Sequence, residues 1–206
     1  MILLLDCSRG LKLIVVNKQR IITTVNKPKL KKVSERLILE IEKLLIGVGK
    51  GYKHLSKIIV INGPGNFTGI RTAVTSAKVL GLSLNIPVCG ISLFDLLLTN
   101  YKKNKFKKNV KLLIQFNRFN FFTQKVIRSG KKSEIHLEKL DNQLFEQNKD
   151  CIFIFLNDIS LNLMKKNLMK LNDIIVYKDI ISTCFKDLSQ LSEKKYIPEP
   201  IYVKTF

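Results

Sequence analysis

A strand pattern that runs into a glycine-rich turn and then a long helix constrains this fold more than any other stretch. The β-branched run Lys57–Ile61 is typical of a strand buried on both faces. Gly63, Gly65 and Gly69 follow within seven residues, and apolar residues then recur at helical spacing over Thr68–Leu84. A strand that leads directly into a helix is the repeating unit of α/β folds, so an α/β class is predicted.

The remaining patterns extend this prediction to the whole chain. Thr68 is expected to cap the helix after the glycine turn, and Ser34 the helix before it. The Lys-rich segment 102–108 is the expected boundary between an N-terminal domain, residues 1–100, and a C-terminal domain, residues 101–206. Further strands are predicted at Ile2–Leu5, Leu11–Val16, Arg20–Val25, Pro87–Gly90, Val110–Phe116, Phe119–Arg128, Cys151–Leu156 and Ile174–Tyr177, and further helices at 34–48, Leu93–Thr99, Asp141–Asn148, Asp158–Leu171 and Ile181–Leu191.

Charge and cysteine usage narrow the class of protein. The chain of 206 residues carries a net charge of +20, which favours a polyanionic partner such as RNA or a membrane surface. The alternative is genomic, because Lys, Asn, Ile and Phe are abundant and Trp is absent, as AT-rich coding produces. No apolar run reaches the ~18 residues of a membrane span, and the N-terminus lacks a signal-peptide pattern. Four scattered cysteines indicate reduced core residues, so a cytoplasmic protein without membrane contact is expected.

The glycine turn departs from both common nucleotide-binding motifs. A Walker A loop needs a lysine after its last glycine, where this chain has Ile70. The dinucleotide fingerprint needs its third glycine one residue earlier than Gly69. A helix N-terminus can still bind an anion, or its own cap can satisfy it. Asp6, Gly63, Gly65 and Gly69 are therefore weak candidates for cofactor binding, and no cofactor is expected.

Catalytic and metal-binding constellations are not expected. The two histidines, His54 and His136, are far apart and lie outside the predicted helix 34–48. Cys7 follows the first strand beside Asp6, with no histidine near it in sequence to act as a base. Asp6 is interpreted either as a turn residue that bonds its own backbone or as a nucleotide–Mg²⁺ ligand. No catalytic residue and no metal ligand is predicted.

Two helices carry more uncharged surface than a solvated helix needs. In the helix Thr68–Leu84, small residues recur four apart on one face, and the opposite face carries no charge although the chain has 36 basic residues. A protein–protein interface made of helices is one interpretation, and burial by the second lobe is the other. The preferred partner-facing residues are Leu39, Ile46, Thr72, Thr75, Ser76 and Val79, and the alternative face is Ala73, Ala77 and Gly81. The residues expected to be core or interface are Leu37, Ile38, Ile41, Leu45, Ile70, Val74 and Ala77.

The turn also resembles a family signature. Residues 63–71, GPGNFTGIR, are similar to the Gly-Pro-Gly-Ser-Phe-Thr-Gly-Leu/Ile-Arg signature of the TsaB (YeaZ) family, with Asn66 in place of the usual serine. Asp6-Cys7-Ser8 resembles the opening Asp-Thr-Ser of that family, and the tail at 200–204 resembles its Pro-x-Tyr-Leu-Arg ending. The resemblance assigns a motif role to Gly63, Pro64, Gly65, Phe67, Thr68, Gly69 and Arg71. Family members often carry Asp-Ala-Arg at the first hairpin of the second lobe, where this chain has Gln115-Phe116-Asn117-Arg118.

The resemblance implies both a fold and a function. The fold would be the two-lobed actin/hexokinase/Hsp70-like (ASKHA) class, with a mixed sheet and helices in each lobe. The function would be that of a non-catalytic subunit, a pseudoenzyme, which organises a TsaD-like catalytic partner together with a TsaE-like ATPase. That complex makes threonylcarbamoyladenosine at position 37 of tRNA, which this subunit would contact indirectly or weakly. A homodimer of the isolated chain, an ATP-binding enzyme of the ASKHA class and a stand-alone RNA-binding protein are the alternatives.

Overall fold

A computed structural model describes residues 1–18, 20–102, 108–156, 174–177 and 197–203. The chain folds into two compact units, Met1–Leu93 with Phe185–Tyr202 and Phe94–Cys184 with Val203–Phe206. The domain boundary expected between residues 100 and 101 stays a prediction. The predicted helices Asp158–Leu171 and Ile181–Leu191 lie outside the described residues.

The first unit is built on a five-stranded mixed sheet. Its strands stand in the order β3-β2-β1-β4-β5. The first three form an antiparallel meander, while β1 pairs with β4, and β4 with β5, in parallel. The central strands are buried on both faces, which explains their nearly continuous apolar sequences. The strands are β1 Ile2–Asp6, β2 Leu11–Asn17, β3 Arg20–Lys27, β4 Lys57–Ile61 and β5 Val88–Ile91.

Two helices cover one face of this sheet. Helix α1 spans Val33–Ile46 and helix α2 spans Phe67–Leu84. Their inward residues share one hydrophobic core with alternate residues of β1, β2 and β4. That core contains Leu3, Leu5, Leu13, Val15, Leu37, Ile41, Leu45, Ile58, Val60, Ile70, Ala73, Val74 and Ala77, among others.

Two details of α1 differ from the prediction. Ser34 does not cap the helix, because α1 begins one residue earlier and its N-cap position is Lys32, which makes no capping side-chain hydrogen bond. Ile38, expected to be core or interface, is exposed and not part of the core, because the inward stripe runs through Leu37, Ile41 and Leu45. A residue directly after Leu37 is rotated by about 100° around the helix and points away from the sheet.

The second unit repeats the strand order of the first. Its order is β10-β9-β6-β7-β8, again an antiparallel meander extended by two parallel strands on the other side of the first strand. The strand His136–Lys139 was not predicted, because its four residues include two charged side chains and little apolar alternation. The elements are α3 Leu93–Lys102, β6 Asn109–Gln115, β7 Asn120–Val126, β8 His136–Lys139, α4 Asn142–Glu146, β9 Cys151–Leu156 and β10 Ile174–Tyr177.

Candidate functional site

The glycine turn lies directly on the loop that follows β1. Gly63 has φ +130°, a conformation that residues with a side chain rarely adopt. A Cβ added to Gly65 would lie 2.5 Å from the carbonyl oxygen of Ser8, and one added to Gly69 would overlap the carbonyl oxygen of Cys7. The N–H of Asn66 donates to the Ser8 carbonyl at 2.7 Å. The space that Gly65 and Gly69 leave is therefore filled by the chain itself.

The N-terminus of α2 is capped by Asn66 and not by Thr68. The Asn66 side-chain oxygen accepts a hydrogen bond from the N–H of Gly69 at 2.8 Å, and its carbonyl accepts from the N–H of Ile70 at 2.9 Å. The residue lies just before the helix, where such a side chain can reach the third helical N–H. Thr68 is already inside the helix, and its carbonyl accepts from the Thr72 hydroxyl. The cap uses one of the donors that an anion would otherwise need.

Asp6 and Cys7 take part in local structure. One carboxylate oxygen of Asp6 accepts from both the N–H of Ser8, at 2.8 Å, and the Ser8 hydroxyl, at 2.6 Å. This is the turn-forming arrangement that was one of the two interpretations of Asp6. Burial, with the neighbouring Asp6 carboxylate as a smaller cause, raises the pKa of the Cys7 thiol to about 12. At neutral pH this thiol is therefore protonated and is a poor nucleophile.

Both histidines are exposed. The imidazole of His54 lies within hydrogen-bond distance of the backbone of Gly51, and His136 begins the edge strand β8. Among the described residues, no group of three or more His, Cys, Asp or Glu side chains is placed to hold a metal ion. No helix in the described part of the chain is long and apolar enough to cross a membrane.

Two signature side chains are exposed beside the turn. The Phe67 ring lies 5.2 Å from the ring of Tyr202, and the guanidinium of Arg71 lies 5.0 Å from the Phe67 ring centroid. The tail that carries Tyr202 is fixed by a 2.8 Å hydrogen bond from the N–H of Ile201 to the carbonyl of Asn62. The Asn62 side-chain oxygen is buried and has no hydrogen-bond partner in the described structure. The sequence patterns did not indicate that the tail meets the turn, because this contact joins distant parts of the chain.

The outward side of α1 and α2 carries large exposed apolar side chains among charged ones. Val79 is 57% exposed and Leu82 is 86% exposed on α2, while Ile46 is 65% exposed on α1, next to which α2 packs. Thr75 is also exposed, and Thr72 and Ser76 are half-buried. The outer helical surface, defined here as Ile38, Leu39, Ile46, Thr75, Val79 and Leu82, includes four of the six preferred partner-facing residues on α1 and α2.

Leu82 and Ile38 were not among the predicted partner-facing residues. Helical spacing places Leu82 on the same side as Thr75 and Val79, so the positions i, i+4 and i+7 were a usable signal. Ile38 was expected to be core or interface and was not in the preferred partner-facing set. The outer helical surface thus has more large apolar side chains than the sequence interpretation gave it.

The alternative face of α2 is packed against its own sheet. Ala73 and Ala77 are fully buried in the core, and a Cβ added to Gly81 would overlap the side chain of Val88. The small residues therefore let the helix approach β4 and β5 closely, and they are not available to a partner. The expectation that a partner could use this face is corrected by the packing.

The fold belongs to a known class. A structure from Bacteroides thetaiotaomicron, described as having an actin-like ATPase fold and unknown function, matches with TM-score 0.58 at 8% identity and covers 93% of this chain and 96% of that one. A Pseudomonas aeruginosa structure, described as an uncharacterized protein with similarity to peptidase YeaZ, matches with TM-score 0.63 at 16% identity and covers 98% and 99%. The predicted two-lobed α/β class, with a mixed sheet and helices in each lobe, is confirmed.

Similarity in sequence points to a narrower group of proteins than similarity in fold does. A Buchnera aphidicola protein (from Schizaphis graminum), named tRNA threonylcarbamoyladenosine biosynthesis protein TsaB, is 26% identical over 201 residues, which cover 92% of this chain and 95% of that protein. The family model of TsaD, tRNA N6-adenosine threonylcarbamoyltransferase, matches residues 27–115. The resemblance to the TsaB (YeaZ) family is confirmed, since curated relatives of that name match over most of the chain.

Proposed function

We propose that this chain is a non-catalytic subunit required for threonylcarbamoyladenosine modification of tRNA at position 37. Its role is to bind and organise a TsaD-like catalytic partner, in a cytoplasmic complex that also contains a TsaE-like ATPase. The support is the name of the TsaB relative, which covers almost the full length of both chains, and the match of residues 27–115 to the TsaD family model. That match includes both α1 and α2.

The observation that carries this proposal is the group of exposed aliphatic side chains on two adjacent helices. On a monomeric soluble protein, scattered apolar residues are ordinary, but a contiguous group on neighbouring elements marks an interaction site. The outer helical surface holds five large aliphatic side chains, with the exposed charges of Glu42 on α1 and of Arg71 and Lys78 on α2 beside them. A partner that presents its own apolar helical face fits this surface better than RNA does.

The contacts made by the glycine turn and by Asp6 support a role without catalysis. An ATP-binding enzyme of the same class would use Asp6 and the glycine turn to hold nucleotide. In this fold the Asp6 carboxylate bonds Ser8, the spaces beside Gly65 and Gly69 are filled by Cys7 and Ser8, and the Cys7 thiol has a pKa of about 12. No specific observation favours the enzyme, and the platform function therefore stands as the proposal.

The test measures how tightly this chain binds the TsaD-like protein of the same host. We expect Val79→Arg to weaken that binding by tenfold or more, because burying an unpaired guanidinium in an apolar interface costs ~2 kcal/mol or more. Ile38→Arg is the second variant, because Ile38 lies on α1 and belongs to the outer helical surface as Val79 does. The measurement is a dissociation constant by calorimetry, with thermal unfolding of each variant to verify the fold.

Ile22→Arg is the matched control. Ile22 lies on the edge strand β3 and is 46% exposed, the same fraction as Ile38, so it adds the same charge at a similar depth outside the helices. If the three variants bind alike, or if wild-type protein does not bind the TsaD-like chain at all, the platform function is wrong. Sedimentation of the isolated variants shows whether the same surface also supports a homodimer.

A further inference from the structure

The hairpin between β6 and β7 ends in a tightly bonded tip. Four residues, Phe116, Asn117, Arg118 and Phe119, connect Gln115 to Asn120. The side-chain oxygen of Asn117 accepts from the N–H groups of Phe119, at 3.0 Å, and of Asn120, at 2.9 Å. The carbonyl of Asn117 accepts from the side chain of Gln115 at 3.0 Å. These bonds hold the tip in one conformation before any ligand binds.

Two phenyl rings stand exposed on this tip. Phe116 is 48% exposed and Phe119 is 56% exposed, while the edge of the Phe116 ring packs at 5.1 Å against Phe122. The guanidinium of Arg118 lies 5.4 Å from the centroid of the Phe119 ring. Turn tips favour Gly, Asn, Asp, Ser and Pro, so two large aromatic rings within four residues are unusual there. Flat apolar faces next to a cation suit a ligand that has both a π-face and negative charge.

Positively charged side chains, which RNA phosphates attract, lie on the tip and on the strand beside it. Arg118 is exposed on the tip, and the exposed Lys139 of β8 is the cross-strand neighbour of Asn120. A hydrogen bond from the N–H of Leu140 to the carbonyl of Phe119, at 2.9 Å, holds the end of β8 against the tip. The nearby carboxylate of Asp141 accepts from the N–H of Leu144 and so caps α4. One cation therefore lies against a ring of the tip and a second stands on the strand beside it, in a chain of net charge +20.

We propose that this hairpin tip binds an unpaired base of RNA. The base stacks on Phe119 or Phe116, and Arg118 and Lys139 contact the adjoining phosphates. Base stacking on aromatic side chains supplies sequence-tolerant affinity to single-stranded segments, and paired bases cannot offer their faces in this way. This RNA-binding site is separate from the partner-binding surface of α1 and α2. It rests on the proposed function in one respect, which is that the RNA is expected to be tRNA.

The test compares an RNA stem–loop with a fully paired duplex of equal phosphate number, in fluorescence anisotropy titrations of the full chain over a series of salt concentrations. We expect Phe119→Ala to weaken stem–loop binding about fivefold or more, with an unchanged salt slope and unchanged duplex binding. Arg118→Ala should weaken binding to both RNAs and reduce the salt slope by about one. Phe119→Tyr should keep the stem–loop affinity, because it retains the aromatic face.

Phe67→Ala is the matched control, since Phe67 is also an exposed phenylalanine with an arginine over its ring. An equal loss with Phe67→Ala, an equal loss for the duplex, or no loss with Phe119→Ala would each overturn the proposal. If Phe119→Ala instead weakens binding to the TsaD-like protein and leaves RNA binding intact, the rings belong to a protein interface. Val79→Arg separates the two proposals, because it should weaken partner binding by tenfold or more and leave stem–loop binding unchanged.

Discussion

At the scale of single residues, the glycines of the turn are explained by contacts rather than by a ligand. Gly69 lies inside helix α2, where alanine is normally the more stable residue by about 1 kcal/mol. The backbone of Cys7 approaches it so closely that a Cβ would overlap the carbonyl oxygen. Because that neighbour is backbone in the buried loop after β1, it cannot move aside as a flexible side chain would. The signature glycine is therefore required by packing between two segments of the same unit.

We predict that Gly69→Ala lowers the free energy of unfolding by about 2–3 kcal/mol, the upper part of the usual cost of overpacking, despite the better helix propensity of alanine. The measurement is equilibrium urea unfolding. Gly51→Ala is the control, because nothing lies within 4 Å of a Cβ at Gly51 and it should be almost neutral. Equal stability of the two variants would contradict the close packing of the turn on Cys7.

At the scale of elements, helix α2 has a different capping residue at each end. Its first turn is bonded by the Asn66 side chain, and it ends at Asn85, which adopts a left-handed conformation with φ 51°. Between these ends, the inward stripe through Ala73 and Ala77 packs on the sheet, and Val79 and Leu82 face outward. The helix can thus present its outer side without losing its contacts to the core.

We predict that Asn66→Ala costs about 1 kcal/mol of stability through the lost cap, and that Thr68→Ala changes stability by less than about 0.5 kcal/mol. Asn66→Ser should restore the stability, because serine is a comparable N-cap residue and is usual at this position of the signature. Thermal and urea unfolding of the three variants provide the measurement. A larger loss for Thr68→Ala than for Asn66→Ala would return the capping role to Thr68.

At the scale of the whole molecule, the last described residues rejoin the first unit. A Cβ added to Gly90 in β5 would lie 2.6 Å from the Cα of Pro198 and 2.7 Å from the carbonyl oxygen of Ile197. Ile201 adds a hydrogen bond to Asn62, and Tyr202 contacts Phe67. The chain end therefore contributes to the stability of a unit whose sheet is formed by residues 2–91.

We predict that Gly90→Ala destabilises the full-length chain by about 1–3 kcal/mol, because the new methyl group displaces the tail backbone. In a chain truncated after residue 196 the same substitution should cost much less, since the nearest remaining contact is the side chain of Asn62 at 3.1 Å. Unfolding of all four proteins gives the coupling energy directly. A coupling near zero would mean that the tail does not pack on Gly90 in solution.

The local patterns of the chain were sufficient for most of its described elements and for the α/β class, although they missed the strand His136–Lys139. Strands Lys57–Ile61, Cys151–Leu156 and Ile174–Tyr177 have the predicted bounds, and α2 begins one residue before its predicted start. Side-chain periodicity and β-branching act within a few residues of each other, so they can be interpreted without knowledge of the fold. The nine-residue signature likewise pointed to the TsaB family before any contact was known.

The tertiary structure decided which side of each helix is free and what the glycines contact. Both faces of α2 are uncharged in sequence, and only packing against β4 and β5 assigns Ala73, Ala77 and Gly81 to the inside. The tertiary structure also showed that Asn66 caps α2, that Ile38 is exposed and that the tail packs against Gly90. The Asn66 cap is a local contact with Gly69. The contacts of Gly69 with Cys7 and of Gly90 with Pro198 join residues far apart in the chain, and local propensity carries no information about such contacts.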